Sequence, residues 1–224
     1  MFRKLCFIFL ATAVFVSLNA VPAKAAPTVF FNDVTSDSYV TSLCYPVYGS
    51  SVASAGPVAG ASEFTSLVSG SVTDIDVILD YHIYTNQFDV EVWSSSYSTA
   101  YSHNAPNAAI WTSTEYTVPT AYDTGTLMDV SVSGLTLTAG QDYFLVVRAS
   151  EPLSDIDWHQ DVNGVTGWTY QYYNSAWETW STGGSLGAFE VLGGTTTAVP
   201  EPGTMLLLGL GLIGLAGVRR KFKQ

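Results

Sequence analysis

The sequence is poor in cysteine and in basic residues, and each shortage excludes a class of protein. It has only two cysteines, Cys6 and Cys44, which excludes a scaffold held by several disulfides. Of its 8 lysines and arginines, Arg148 alone lies between Pro27 and Ala198, whereas 18 of the 19 acidic residues lie there. This central body has a net charge near −17, which disfavours binding to nucleic acid. The charge suits either a solvated acidic surface or contacts with divalent cations or cationic partners.

The body also lacks any amphipathic helical pattern of ten residues or more. Strand-like alternation of apolar and polar residues replaces it in Ser71–Asp80, Phe88–Trp93 and Leu127–Val132. Tyr143–Ala149 is apolar on both faces, as a central strand covered on two sides would be. These patterns predict an all-β fold, an antiparallel β-sandwich of jelly-roll type.

Polar stretches between these segments predict turns. Ser94–Pro106 and Asn174–Gly184 are rich in serine, asparagine and glycine and have little apolar alternation. We therefore expect both stretches to be loops between strands.

The motifs of two common hydrolase classes are missing from the body. It contains no SxxK motif and no HExxH motif. Cys44 has no histidine near it in sequence, so a structural role is expected rather than a nucleophilic one. We expect a protein that is not an enzyme. The alternative is a secreted polysaccharide hydrolase that uses an Asp/Glu pair, since 18 acids offer many such pairs.

An acidic segment, Ser154–Gly164, offers hard oxygen ligands of the kind that Ca²⁺ prefers. The spacing does not match an EF-hand loop, and the alternative is a polar loop of solvated acids. A calcium site here would use Asp155, Asp157, Asp161 and Asn163.

Aromatic residues are dense in the last third of the body. Their faces can stack on sugar rings, although the core of a β-sandwich uses the same residue types. The candidate ligand-binding residues are Trp158, Trp168, Trp177 and Trp180.

Residues 1–25 have the three parts of a secretory signal peptide. Arg3 and Lys4 precede an apolar helix-forming stretch, Leu5–Leu18, and Ala23-Lys24-Ala25 is an A-x-A cleavage site. Cleavage after Ala25 would place the body outside the inner membrane.

The last 26 residues, Val199–Gln224, form a tail in three parts. Pro200-Glu201-Pro202 is followed by an apolar run, Met205–Val218, and then by basic residues. The run predicts a helix of about 21 Å, shorter than the ~30 Å hydrocarbon core, so we expect only a temporary membrane anchor. The cations that would stop transfer and stay in the cytoplasm are Arg219, Arg220, Lys221 and Lys223.

This tail resembles the PEP-CTERM sorting signal of Gram-negative bacteria, through Pro200-Glu201-Pro202, the Leu/Gly run and Arg219-Arg220-Lys221. The resemblance implies that an exosortase in the membrane recognises and cleaves near the Pro-Glu-Pro motif. It also implies delivery to the cell surface or extracellular matrix of bacteria that make exopolysaccharide and biofilm. The implied partners are the exosortase and the secretion machinery, with exopolysaccharide as a ligand and the inner membrane as a transient contact.

The body resembles the exported "choice-of-anchor" β-sandwich domains. The shared features are the Phe64 segment, Val90-Glu91-Val92-Trp93, the Leu137–Gly140 turn before Tyr143, and a Trp-rich end. With the two ends removed, the expected organisation is N-terminal strands and loops over 26–60, a sandwich over 61–193 and a linker over 194–198.

Overall fold

The computed structural model describes residues 26–34, 39–52, 56–120, 125–161, 164–173 and 175–194. The predicted signal helix and the predicted C-terminal apolar helix lie outside these ranges. Residues Pro27–Gly194 form one compact unit.

All the regular structure in the described residues is β-strand. The strands are β1 Thr28–Asn32, β2 Tyr39–Tyr48, β3 Ala59–Thr65, β4 Gly70–Tyr81, β5 Gln87–Ser98, β6 His103–Thr112, β7 Tyr116–Thr117, β8 Thr126–Ser131, β9 Thr136–Leu137, β10 Asp142–Ala149, β11 Asp155–Asp161, β12 Thr166–Tyr173, β13 Ala176–Ser185 and β14 Phe189–Gly193. Within the described ranges no helix has the length and the apolar character needed to cross a membrane.

The strands form two curled sheets in which all named strands pair antiparallel. Sheet A has the order β1-β14-β4-β11-β2, with β8 and β9 on the other edge of β4. Sheet B has the order β13-β12-β3-β10-β5-β6, with β7 beside β5. The prediction of an all-β fold made of antiparallel sheets is confirmed.

The inner faces of the two sheets enclose the main core. The predicted alternation of apolar and polar residues along each strand determines which side chains belong to it. Ile75, Val77 and Leu79 of β4 are fully buried, as are Val90 and Val92 of β5. Each such side chain contributes roughly 1.5–3 kcal/mol by leaving water, so the period of two fixes which face of each strand turns inward.

Strand β10 is the central strand that its sequence predicted, lying between β3 and β5. Leu145 and Val147 belong to the main core, whereas Phe144 and Val146 belong to a second buried cluster with Tyr170. Because neighbouring residues of a strand point to opposite faces, the second cluster lies on the outer face of sheet B.

The predictions of loops at Ser94–Pro106 and Asn174–Gly184 are wrong. Strand β5 continues to Ser98, β6 begins at His103, and β13 occupies Ala176–Ser185. Both β6 and β13 are edge strands of sheet B, so much of their surface meets solvent and needs no apolar residues.

The β5–β6 hairpin folds across the outer face of sheet B. Its pairing shifts register at Val92/Trp93 and again at Ser94/Ser95, and such bulges bend a strand pair. Near its tip, the Tyr101 hydroxyl donates to the backbone oxygen of Trp177 at 2.5 Å. Trp177 lies on β13, at the opposite edge of sheet B, so the tip spans the sheet from one edge to the other.

Candidate functional site

A cleft of about 630 Å³ lies where the hairpin crosses sheet B, and we call it the hairpin cleft. It is lined by acidic, amide and aromatic side chains and by the residues at the start of β12. Its lining residues include Glu63, Tyr97, His103, Asn104, Asp142 and Trp168.

Two carboxylates lie close together in the hairpin cleft because β3 and β10 pair side by side. The Asn104 amide nitrogen donates to Glu63 Oε1 at 3.1 Å and to Asp142 Oδ2 at 2.9 Å. These two oxygens are therefore no more than about 6 Å apart. The Thr65 hydroxyl donates to the other Asp142 oxygen at 2.6 Å and fixes that carboxylate.

Burial raises the pKa of Glu63 above its usual value, and the nearby charge of Asp142 adds to this effect. Hydrogen bonds from Asn104 and from the Trp168 backbone, together with His103, act in the opposite direction. Desolvation has the largest effect, so Glu63 is an acceptor partly withdrawn from water.

Aromatic rings form one wall of the hairpin cleft. The His103 ring stacks on Trp168 with 3.3 Å between ring centroids, and Tyr97 is 67 % exposed. The buried Tyr170 hydroxyl donates to the backbone oxygen of Asn104 at 2.5 Å and lies 2.6 Å from His103 Nδ1. These contacts tie the base of the hairpin tip to sheet B and position the Asn104 amide.

Two of the four candidate tryptophans, Trp158 and Trp180, pack against the main core and do not line the hairpin cleft. Trp158 is fully buried and donates its indole N–H to the backbone oxygen of Ala188 at 3.2 Å. It packs so closely on Gly187 that any side chain there would clash with its ring. Trp180 packs against Tyr45 with centroids 4.9 Å apart, on the core side of sheet B. Trp158 is part of the main core, and Trp180 is partly buried against it.

The other two, Trp168 and Trp177, lie on the outer side of sheet B but do not share one site. Trp168 lines the hairpin cleft. Trp177 pairs with Tyr172, four residues further along β12, which is about 13 Å away at strand spacing. Its ring packs against those of Trp93 and Tyr172, with ring centroids 5.4 Å and 5.3 Å apart.

The structure does not bring the four predicted calcium ligands together. Asp155 and Asp161 are at opposite ends of β11, six residues apart, which is about 20 Å along a strand. Asp157 lies between them, and Asp155 lies 3.3 Å from His82 Nδ1. Asn163 lies outside the described residues. One ion cannot contact both strand ends, and in the part of the chain that is described no three His, Cys, Asp or Glu residues form a metal-binding group.

Sequence reasoning missed most of the hairpin cleft. Glu63, Asn104 and Asp142 come from β3, β6 and β10, and no local motif joins them. The one available signal was Glu63, a single acid in the otherwise uncharged β3.

Residues 198–221 match the PEP-CTERM protein-sorting motif. A comparison of the chain with curated proteins finds no match. The matched stretch contains Pro200, Glu201, Pro202 and Arg219-Arg220-Lys221, and both it and Lys223 lie outside the described residues. This motif indicates that an exosortase processes the protein. It also indicates export across the inner membrane to the surface of a Gram-negative cell.

Proposed function

We propose that the protein is a non-enzymatic component of the cell surface or extracellular matrix that binds exopolysaccharide through the hairpin cleft. Its tail holds it in the inner membrane until the exosortase acts, and the secretion machinery is its other partner during export. The hairpin cleft, with Glu63, Asn104 and Asp142 beside Trp168, is the observation that carries this proposal.

The composition of the cleft is typical of sugar recognition. Carboxylates accept hydrogen bonds from sugar hydroxyls, amides both accept and donate them, and aromatic rings cover the apolar faces of pyranose rings. Glu63, Asp142 and Asn104 are already fixed by mutual contacts, so a ligand would meet a preformed set of polar groups.

We also propose a jelly-roll type for the sandwich, in line with choice-of-anchor domains. The support is that consecutive strands β2, β3, β4 and β5 alternate between sheets A and B, as do β10, β11 and β12. Such crossing connections are typical of two-sheet Greek-key folds.

Mass spectrometry of the exported protein tests the processing step. We expect the 199–224 tail to be lost near the Pro-Glu-Pro motif, and we expect a variant with Pro200, Glu201 and Pro202 all changed to alanine to keep its tail. An exported wild-type protein with an intact Val199–Gln224 would overturn this part of the proposal.

Co-sedimentation of the exported protein with exopolysaccharide from its own host tests the binding step. Trp168→Ala should weaken binding about two- to tenfold, because ring contacts of ~0.5–1.5 kcal/mol are lost. Trp177→Ala is the matched control, since it removes a partly buried tryptophan on the same face outside the cleft. Equal losses in the two variants, or no binding by the wild type, would sink the carbohydrate role.

A second candidate function is hydrolysis of polysaccharide by Glu63 and Asp142. Their oxygens are no more than about 6 Å apart in a cleft, near the ~5–5.5 Å spacing of carboxyls in retaining glycosidases. Binding is favoured over hydrolysis because the Asn104 amide nitrogen lies between the two groups, 3.1 Å and 2.9 Å from their oxygens, where a glycosidase needs room for the scissile bond. Release of reducing ends from polysaccharide, abolished in Glu63→Gln, would reverse this order.

A further inference from the structure

We propose that the hairpin cleft selects glycans that carry a free, protonated amino group, that is, de-N-acetylated amino sugars. This inference rests on the proposed function, since it names the class of sugar that the same cleft takes. It follows from the charges around Glu63 and Asp142, from the position of the Asn104 amide and from the rings of the cleft.

The charge in the cleft calls for a positive ligand group. Glu63 and Asp142 lie side by side, whereas Arg148 is the only lysine or arginine between Pro27 and Ala198. Arg148 is on β10, six residues from Asp142 and about 20 Å away along the strand, where it contacts Glu91 at 3.4 Å. Neither carboxylate is therefore balanced by a lysine or an arginine of the body. The neighbouring His103 ring is the group that favours the charged form of Glu63 electrostatically.

The Asn104 amide marks where a nitrogen donor fits. One nitrogen contacts both carboxylates at 2.9–3.1 Å, the distance at which an ammonium group also donates. Each carboxylate has about four acceptor positions, and the hydrogen bonds from Asn104, Thr65 and the Trp168 backbone fill only part of them. A sugar ammonium beside the Asn104 amide can therefore donate to Glu63 and Asp142 together.

The rings of the cleft add the sugar component of recognition. Trp168, His103 and Tyr97 line the same space as the two carboxylates. A ring face attracts both a sugar's C–H surface and an adjacent cation. A ligand with a pyranose ring and an ammonium group uses both parts of the cleft, whereas a simple cation uses only one.

The same arrangement acts against acidic sugars. The carboxylate of a uronic acid would lie beside Glu63 and Asp142 with no lysine or arginine within the cleft lining to receive it. Like charges brought together in a partly desolvated site are strongly unfavourable, so repulsion provides part of the selectivity.

The test is calorimetric titration of the exported protein with three trisaccharide probes: glucosamine, N-acetylglucosamine and galacturonic acid, at a pH where the amines are protonated. We expect the glucosamine trimer to bind at least about tenfold more tightly than the N-acetylated trimer, as gain of charge-assisted hydrogen bonds predicts. The galacturonate trimer should show no binding.

Single-charge variants separate the cleft from the general acidity of the body. Glu63→Gln and Asp142→Asn should each remove most of the preference for the free amine and leave the weaker binding of the N-acetylated trimer. Asp129→Asn removes the same charge from an exposed position on β8 of sheet A and should keep the preference. Trilysine and Ca²⁺ serve as competitors, and neither should displace the glucosamine trimer at concentrations near that of the sugar.

Each other outcome overturns the inference in a recognisable way. Equal affinity for the amine and the N-acetylated trimers would refute amino-sugar selectivity and leave the proposed function standing. An equal loss of the preference for the free amine in Asp129→Asn would attribute the selectivity to the net charge of the body. Displacement of the glucosamine trimer by trilysine or Ca²⁺ would show that the cleft binds cations in general. The absence of binding to all three sugars would overturn the inference, and co-sedimentation with the host exopolysaccharide would then decide separately whether the proposed function stands.

Discussion

The two outer faces of the sandwich differ sharply, although the same inner core supports both. On sheet A, Asp76 of β4 lies directly between Glu190 of β14 and Asp129 of β8. On sheet B, the corresponding outward positions hold Phe144 and Tyr170, buried under the β5–β6 hairpin. The outer face of sheet A carries a row of like charges next to the buried side chains of Ile78, Asp80 and His159, whereas the outer face of sheet B carries a second apolar layer with a cleft at its side.

This difference shows that the outer face of sheet B has side-chain packing beyond what the two-sheet fold requires. Like charges opposite one another on neighbouring strands are destabilising, so the acidic row does not help sheet A to fold. The outer layer of sheet B buries large rings and fixes three polar groups around a cavity. A preformed polar cavity with aromatic walls is the usual form of a binding site, and an open charged face is the usual form of a soluble surface.

The largest expected effect comes from Tyr170→Ala, which removes the ring beneath the hairpin. We expect a loss of about 3–5 kcal/mol in the free energy of unfolding, as for other large-to-small changes in a packed site. Leu127→Ala on the exposed side of sheet A should change it by less than ~0.5 kcal/mol, because Leu127 is 55 % exposed. Urea unfolding of both variants measures the difference, and similar losses would contradict the idea that the layer under the hairpin is packed while the Leu127 position on sheet A is not.

The next effect in size is a fall in stability as the pH rises. Burial, the larger cause, and nearby acids raise the pKa of Asp33 to about 7 and that of Asp76 to about 6. Between about pH 4 and 7 the folded state therefore holds protons that the unfolded state has released, so stability is fully present below pH 4 and is lost as the pH rises through these values. We expect the free energy of unfolding to be higher at pH 5 than at pH 8 by about 1 kcal/mol or more.

Asp33→Asn is the control for this pH dependence. Asp33 is 1 % exposed and accepts a hydrogen bond from the Val165 backbone N–H, which an asparagine oxygen can also accept. The variant should be more stable than the wild type at pH 8 and should flatten the dependence on pH. A wild type whose stability is constant or rises from pH 5 to pH 8 would refute the assignment.

The smallest effect concerns the acidic row itself. Asp129→Asn should stabilise the fold by ~0.2–1 kcal/mol, since it relieves repulsion between side chains directly opposite each other. It should also move the pKa of Asp76 down from about 6, because Asp129 is the charge with the largest effect on it after burial. Carboxyl NMR titration of Asp76 in the two proteins checks this, and an unchanged midpoint would mean that the row is too far apart or too well screened to matter.

The same comparison of the two faces explains which parts of the fold could be predicted from the sequence. The inner face was accessible because Ile75, Val77 and Leu79 repeat with the period of a strand, and burial enforces that period. The outer layer of sheet B was not, since β6 and β13 are edge strands whose polar sequences read as loops. Trp158 and Trp168 lie in strands that are consecutive in sequence, and only the three-dimensional packing distinguishes a core ring from a cleft ring.

The hairpin cleft depends on contacts between residues that are distant in sequence. Asn104 meets Glu63 and Asp142 only because two register shifts bend the hairpin over sheet B. The acidic pair was foreseen in kind, as one of many pairs that 18 acids allow, but its members could not be chosen. The sorting tail was recognisable because its three parts are local and ordered along the chain.

NMR mapping of the six tryptophan indole N–H signals during titration with the glucosamine trimer tests most directly whether the outer face of sheet B is the functional face. The structure predicts that the Trp168 signal shifts in a saturable way, while those of the buried Trp158 and of Trp180 stay fixed. Saturable binding without any change at Trp168, or with shifts confined to backbone signals of the acidic row on sheet A, would contradict the account.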